Sequence, residues 1–259
     1  MAETKFDLDE TLSKYVTKPK ALAKPELILI YGQPGSGKSH LAATAASLPG
    51  VKKVLYLDTE GSTVGVLNRV ENSEKIDVIR VDQHEDPFGF LSTIVKKLLD
   101  GGTQYDVVVI DTFDTAQDWA ETYFDDKSPY GKSGEKDGFW KWAQVKDWSV
   151  DIARVLKKIA PLGILVVHDA EEKSKSGAIT KRLLLLGSSR NILPGIPDVV
   201  AYLERKIVDG EPTTVAYFGT DDNKVTKDRF GFPPKVKSAT LPALFSYIEK
   251  KNTDTPEGK

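Results

Sequence analysis

Short apolar runs recur along the chain and alternate with stretches whose apolar residues follow helical spacing. The runs are ELILIYG, KVLYLD, IDVIRVD, YDVVVID and GILVVHD. Most are rich in β-branched residues on both faces, which is typical of strands that are covered on both sides. Two intervening stripes predict helices: Phe88, Leu91, Val95 and Leu98, and then Trp148, Ile152, Val155, Leu156 and Ile159. Strands that alternate with helices predict an α/β fold, with a mostly parallel sheet and helices on both faces.

The pattern changes after residue 197. DVVAYLERKIV and TTVAYFGT read as two strands joined around Asp209-Gly210, which predicts a C-terminal β-hairpin that extends the sheet. TLPALFSYIEK predicts a last helix. We therefore divide the chain into an arm over residues 1–25, a core over 26–250 and a disordered tail over 251–259.

Composition narrows the class of protein. The chain has 259 residues, of which 40% are hydrophobic, enough for a single buried core. Its net charge of −2 excludes a general positive coat, so polyanions would have to bind at local patches. It has no cysteine, which excludes disulfides and thiolate metal sites. No apolar run approaches the ~18 residues needed to cross a bilayer, and we expect a cytoplasmic protein that does not contact membranes.

The stretch GQPGSGKS follows the first predicted strand and precedes a predicted helix. It fits the phosphate-loop pattern G-x-x-x-x-G-K-[ST], in which glycines let backbone N–H groups converge on phosphates. Lys38 is expected to reach the β- and γ-phosphates, and the Ser39 hydroxyl to bind Mg²⁺. The predicted nucleotide-binding residues are Gly32, Gln33, Pro34, Gly35, Ser36, Gly37, Lys38, Ser39 and His40.

Carboxylates end two further strands. YDVVVID leads to Asp111, which is expected to hold the metal beside Ser39. Thr112 follows Asp111, so the carboxylate that orients the attacking water must come from elsewhere. YLDTEG places Asp58 and Glu60 on the same side of a strand end. We assign the water to Glu60 and a supporting role to Asp58; the alternative is an ordinary polar strand terminus.

The segment VLYLDTEGS resembles that of RecA-type recombinases, in which an acid-x-Glu at this strand end carries the catalytic glutamate. The similarity extends in order over residues 26–231 and is greatest to the core-only RecA-like ATPases of bacteriophages, which are associated with single-strand annealing and recombination. It implies an ATP- and Mg²⁺-dependent hydrolase that binds single-stranded DNA and self-associates head-to-tail into a filament or ring. The arm, with Tyr15, is a candidate for docking between subunits.

The resemblance also implies two DNA-contacting loops. The first corresponds to residues 124–138, where Lys127 and Lys132 are candidate phosphate contacts. The second corresponds to residues 171–190, a polar excursion with more bases than acids. Its candidates are Lys173, Lys175, Lys181 and Arg182. For both segments, a solvated surface loop is the alternative.

Three further residues gain roles from the resemblance. His168 stands where the family has a polar amide that senses the γ-phosphate; the alternative is a polar group whose hydrogen bonds are satisfied within the fold. Lys227 and Arg229 resemble the paired basic fingers that act on a neighbouring subunit's nucleotide, the alternative being surface charges on a turn.

Other functions remain open from the sequence. A ring-forming motor or helicase-loading ATPase would differ in assembly, and a small-molecule kinase would need an acceptor pocket and an arginine-rich lid. A non-catalytic nucleotide-binding regulator would bind ATP and leave it intact. The sequence decides neither ATP over GTP nor annealing over strand exchange.

Overall fold

The computed structural model describes residues 24–101, 104–131, 134–175, 177–219, 221 and 223–254. Most of the predicted arm, the last five residues of the predicted tail and Lys132 lie outside these ranges. No helix within them is long and apolar enough to cross a membrane.

Ten strands form the sheet in the described part of the chain. They are β1 (Leu27–Gly32), β2 (Val54–Asp58), β3 (Ile76–Arg80), β4 (Val107–Asp111), β5 (Leu162–Lys173), β6 (Ile179–Leu183), β7 (Val199–Val208), β8 (Glu211–Tyr217), β9 (Lys227–Asp228) and β10 (Lys235–Lys237). The order is β10-β8-β7-β1-β5-β4-β2-β3, with β6 beside β5 and β9 beside β7. The strands from β7 to β3 in this order are parallel, which confirms the predicted mostly parallel α/β sheet.

Helices cover both faces of the sheet. They are α1 (Lys38–Ala43), α2 (Val64–Leu67), α3 (Pro87–Gly101), α4 (Phe113–Lys127), α5 (Gly138–Ile159), α6 (Ser189–Ile192) and α7 (Leu241–Asp254). Helices α1 and α7 pack on one face, and α3, α4 and α5 pack on the other. The helix α7 continues through Asp254, four residues beyond the boundary expected from the sequence.

The strands are buried on both sides because successive side chains enter opposite clusters. In β1, Ile28 and Ile30 pack with α1 and α7, whereas Leu27 and Leu29 pack with α5. All six residues of β1 and all five of β2 and β4 are buried. Burial on both faces explains why these strands appear in the sequence as near-continuous apolar runs.

The predicted C-terminal hairpin is present. Strands β7 and β8 pair antiparallel from Tyr202↔Tyr217 to Val208↔Glu211. Between them, Asp209 and Gly210 have φ angles of 54° and 85°. Two central residues with positive φ are the requirement of a tight two-residue hairpin turn.

The expectation of a loop without regular structure over residues 171–190 is wrong. Strand β5 continues through Lys173, and β6 pairs with it antiparallel from Asp169↔Leu183 to Lys173↔Ile179. Glu171 lies directly opposite Lys181 in this ladder, and Gly177, with φ 87°, lies in the connecting turn. We call residues 168–183 the β5–β6 hairpin.

Candidate active site

The phosphate loop lies between β1 and α1, at the carboxyl edge of the parallel strands. A Cβ atom on Gly32 would lie 2.2 Å from the carbonyl oxygen of Leu203 on β7, so only glycine fits there. Gly37 has a φ of 95° directly before α1 begins. These two positions explain the glycines at the ends of the motif.

Lys38 is a buried cation in this loop. The residue is only 5% exposed. Its Nζ donates to the carbonyl oxygens of Gly32 at 2.9 Å and Gln33 at 3.0 Å. Burial lowers the pKa of Lys38, and nearby carboxylates oppose that effect. The Ser36 hydroxyl beside it is buried without a hydrogen-bond partner among the described residues. A buried ammonium group and an unpaired hydroxyl fit a phosphate chain.

Asp111 ends β4 beside the loop. Tyr56 donates its hydroxyl hydrogen to Asp111 Oδ2 at 2.5 Å, and Ser39 also hydrogen-bonds to this carboxylate. Burial raises the pKa of Asp111. A carboxylate and a hydroxyl in contact are oxygen ligands of the kind that Mg²⁺ prefers, and a divalent cation would offset the cost of burying this carboxylate. The donor set therefore fits the metal predicted for Ser39 and Asp111.

Asp58 does not face the nucleotide crevice, contrary to expectation. It is fully buried, and its carboxylate accepts from the N–H groups of Glu60 at 3.1 Å, Gly61 at 2.7 Å and Thr63 at 3.3 Å, as well as from the Thr63 hydroxyl at 2.6 Å. The strand ends at Asp58, so the alternation of side chains that the sequence implied stops there. Asp58 shapes the segment that carries Glu60.

Replacing Asp58 by asparagine is expected to lower the free energy of unfolding by about 2–3 kcal/mol, because an amide cannot accept all four hydrogen bonds. Urea unfolding measures this loss, and Asp100→Asn at the exposed end of α3 is the matched control. The Mg²⁺ concentration needed for phosphate release should be unchanged. A shifted Mg²⁺ requirement with normal stability would instead place Asp58 at the metal.

Glu60 lies across the cavity from the phosphate loop. The Thr59 hydroxyl donates to the Thr112 carbonyl oxygen at 2.8 Å and accepts from the Thr112 N–H at 2.6 Å, which ties this segment to the end of β4. Glu60 Oε1 then accepts from the hydroxyls of Thr112 at 3.0 Å and Thr115 at 3.2 Å. The carboxylate is thus held in one orientation, as a water-orienting group requires.

His168 reaches the same cavity from β5. Its Nδ1 lies 2.8 Å from Asp114 Oδ2 and 3.6 Å from Glu60 Oε1. The hydrogen bond with Asp114 raises the pKa of His168. Ligand atoms of these three residues lie within 4.8 Å of one another. The bond between Asp114 and His168 accounts for this proximity without a metal ion.

One cavity joins these groups, with a volume of about 330 Å³, in the usual range for small-molecule sites. Its lining comprises Pro34, Gly35, Gly37, Lys38, Ser39, His40, Glu60, Ser62, Thr63, Val66, Asp111, Thr112 and His168. The structure therefore brings together most of the predicted nucleotide and metal residues with Glu60 and His168.

Lys227 and Arg229 lie at the opposite edge of the sheet. Lys227 Nζ donates to the carbonyl oxygens of Gly195 and Pro197, each at 2.6 Å, and Arg229 Nη1 lies 3.0 Å from Asp198 Oδ1. Asp198 bonds to the start of β1, about 16 Å from Gly32 at ~3.3 Å per residue. Neither cation can reach the cavity of its own chain, so any role as a finger requires a neighbouring subunit.

The predicted DNA contacts fall into two groups. On the β5–β6 hairpin, Lys181 Nζ lies 2.5 Å from Glu171 Oε1, and Arg182 is paired with Glu172. Lys173 and Lys175 near the turn are exposed, and so is Lys127 at the end of α4. Because acids on the neighbouring strand neutralise Lys181 and Arg182, the exposed lysines are the stronger candidates for contacting DNA.

Sequence reasoning missed several residues of the site: Tyr56, Thr112, Asp114 and Thr115. The last three follow Asp111 in the first turn of α4, where IDTFDT carries three polar side chains within four positions. That density of polar residues after a buried strand is the available signal. Tyr56 lies inside an apolar run, and nothing in its local pattern marks it.

A buried amide links α4 to the segment that follows the β5–β6 hairpin. Gln117 is fully buried; its Nε2 donates to the hydroxyls of Ser149 at 2.7 Å and Ser189 at 2.9 Å. Its Oε1 accepts from the N–H of Leu186 at 2.5 Å. The helix that begins after Asp111 therefore holds both His168 and the segment that follows β6.

The chain is similar to a known protein family and to solved structures. The profile of a family described as "AAA domain" matches residues 24–230. Two solved structures are similar: the flagellar accessory protein FlaH from Methanocaldococcus jannaschii, with 17% identity over 82% of this chain and 83% of that chain and a TM-score of 0.47, and the RadB recombinase, with 18% identity over 82% and 86% and a TM-score of 0.48. A comparison with curated proteins found no match.

Proposed function

We propose, from the premise that the chain belongs to the AAA domain family as a RecA-like P-loop ATPase, that it couples Mg²⁺-dependent ATP hydrolysis to binding of single-stranded DNA. The protein would assemble head-to-tail and act in DNA annealing or recombination. The observation that carries the hydrolytic part is the position of Glu60, which faces Lys38 and His168 across one cavity.

Five residues of the cavity have individual tasks in this proposal. Lys38 and the loop N–H groups bind the phosphates, and Ser39 and Asp111 hold Mg²⁺, which neutralises charge on the β- and γ-phosphates when it is bound. Glu60, fixed by two threonine hydroxyls, orients the attacking water and takes its proton. His168 contacts the terminal phosphate.

Assembly follows from the placement of the cations. In a head-to-tail contact, different surfaces of the two subunits meet, and repetition gives a ring or an open helix. The segment with Lys227 and Arg229 lies at the amino edge of the parallel strands, and the cavity lies at their carboxyl edge. The Arg229 side chain is 57% exposed. A neighbour's segment would then add a cation to the cavity in addition to Lys38.

DNA binding is assigned to the tip of the β5–β6 hairpin. Lys173 and Lys175 are exposed there, and no ion pair of either is seen with a described residue. Strand β5 connects this tip directly to His168. Phosphate contacts by two lysines would be independent of base sequence and sensitive to salt.

The test is phosphate release from ATP with and without single-stranded DNA. We expect DNA to stimulate release in the native protein. A double variant, Lys173→Ala with Lys175→Ala, should weaken DNA binding and reduce the slope of log affinity against log salt by about 1.4, since each single-strand phosphate contact contributes about 0.7.

The matched control is Lys52→Ala with Lys53→Ala, two exposed lysines that precede β2 at the amino edge of the sheet. It should leave both stimulation and slope unchanged. Release that is indifferent to DNA at every salt concentration would remove the DNA-coupled part of the proposal and leave the ATPase part standing.

A further inference from the structure

One carboxylate holds both the backbone and the ring of His168. Asp114 Oδ1 accepts from the His168 N–H at 3.0 Å, and Asp114 Oδ2 lies 2.8 Å from its Nδ1. Asp114 is 8% exposed and lies in the first turn of α4, three residues after Asp111. This two-point contact fixes where the imidazole lies and which of its nitrogens faces α4.

We propose that Asp114 is a positioning residue for hydrolysis, which holds His168 so that Nε2 meets the terminal phosphate of the nucleotide. The inference rests on the proposed ATPase function and adds to it a residue that does not line the cavity. Because Nδ1 is engaged by Asp114, Nε2 is the ring atom left for a ligand in the cavity that His168 lines.

The contact also decides what Nε2 can do. A carboxylate accepts, so the proton stays on Nδ1; Nε2 is then an acceptor in the neutral ring and a donor only in the cationic ring. A phosphate oxygen needs a donor, and therefore the cation. Asp114 from α4 and Glu60 from the segment after β2 favour the charged ring, whereas Lys38 in the phosphate loop disfavours it.

The sign of the pH dependence follows. The hydrogen bond with Asp114 raises the pKa of His168, so the donating form is present below that raised pKa. As the pH rises through it, Nε2 loses its proton and presents a lone pair to the phosphate. We expect the rate of hydrolysis to fall along this limb, and the limb to move to lower pH when Asp114 loses its charge.

The first test needs no turnover. The chain has three histidines, so nuclear magnetic resonance can follow the imidazole of His168 in the native protein and in Asp114→Asn. We expect the pKa of His168 to fall by about 1 unit or more, the usual effect of removing an opposite charge at this distance. Asp118→Asn, an exposed acid one turn along α4, is the control and should leave it unchanged. An unchanged pKa in Asp114→Asn overturns the inference.

The second test is kinetic. Asp114→Asn should lower kcat about 10–100-fold, as loss of an orienting partner does for other held imidazoles, with a smaller change in KM for ATP and a falling limb at lower pH. In His168→Gln the amide donates at every pH, so this limb should disappear while part of kcat remains. A native-like pH profile in both variants overturns the inference. Absence of hydrolysis in the native protein would instead overturn the proposed function, and the resonance experiment would still decide whether Asp114 holds the ring.

Discussion

Replacing Lys38 by methionine is expected to weaken binding of the nucleotide's phosphates strongly while the protein stays folded. The Lys38 ammonium group is buried with two carbonyl oxygens as its hydrogen-bond partners. Loss of a buried charge from a charge-assisted contact costs about 2–5 kcal/mol, which weakens ATP binding by at least ~30-fold. Hydrolysis should fall further, because the same ammonium group stabilises the charge that develops on the transferred phosphoryl group.

Two measurements separate binding from folding in this variant. At an ATP concentration of about 100 times the native Kd, the native protein gains about 2.7 kcal/mol of stability, whereas Lys38→Met, which binds at least ~30-fold more weakly, should gain less than about 1 kcal/mol. Without nucleotide, its stability should lie within about 1 kcal/mol of the native protein, because an apolar chain of similar length replaces a buried cation. Lys52→Met at an exposed site is the control. An ATP-dependent stabilisation of Lys38→Met as large as that of the native protein would show that the phosphates bind elsewhere.

Replacing Glu60 by glutamine should stop the reaction after binding. The amide oxygen can still accept from Thr112 and Thr115, which hold Glu60 at 3.0 and 3.2 Å, so the geometry of the cavity is kept. What is lost is the negative charge that orients water and accepts its proton, a contribution of about 10²–10⁴ in kcat. ATP affinity should change little.

The measurements are single-turnover phosphate release and equilibrium binding of ATP. Glu71→Gln, at an exposed acid outside the cavity, should behave like the native protein. If bound ATP favours the assembled state, assemblies of Glu60→Gln should persist in ATP, as light scattering would show. A fall in kcat of less than about tenfold would be too small for a water-activating carboxylate and would move that role to another residue.

The sequence predicts the fold well because its evidence is local. Buried parallel strands must be apolar on both faces, and the runs that form β1, β2 and β4 are almost wholly so. The phosphate loop can also be predicted from the sequence, because its backbone conformation requires glycine at fixed positions. The hairpin turn at Asp209-Gly210 is predicted for the same reason.

The parts that the sequence could not predict depend on contacts between distant segments. Asp58 and Glu60 look equivalent in YLDTEG, and only the turn after β2 separates them: one carboxylate is buried under backbone N–H groups and the other faces the cavity. Asp114 and His168 are 54 positions apart. The β5–β6 hairpin was missed because its cross-strand ion pairs depend on a register that no local pattern fixes.

Helix α4 contacts the chain at both ends of the β5–β6 hairpin, and these contacts limit how far the hairpin can move. Asp114 holds the β5–β6 hairpin at His168, its first residue, and Gln117 holds Leu186 and Ser189 in the segment that follows β6. Leaving a buried donor or acceptor unpaired costs about 1–3 kcal/mol. Moving either end of this segment away from α4 would therefore cost free energy. Lys173 and Lys175 therefore lie on a hairpin that is held in place, and the DNA binding proposed for them would cost little additional conformational entropy of the protein.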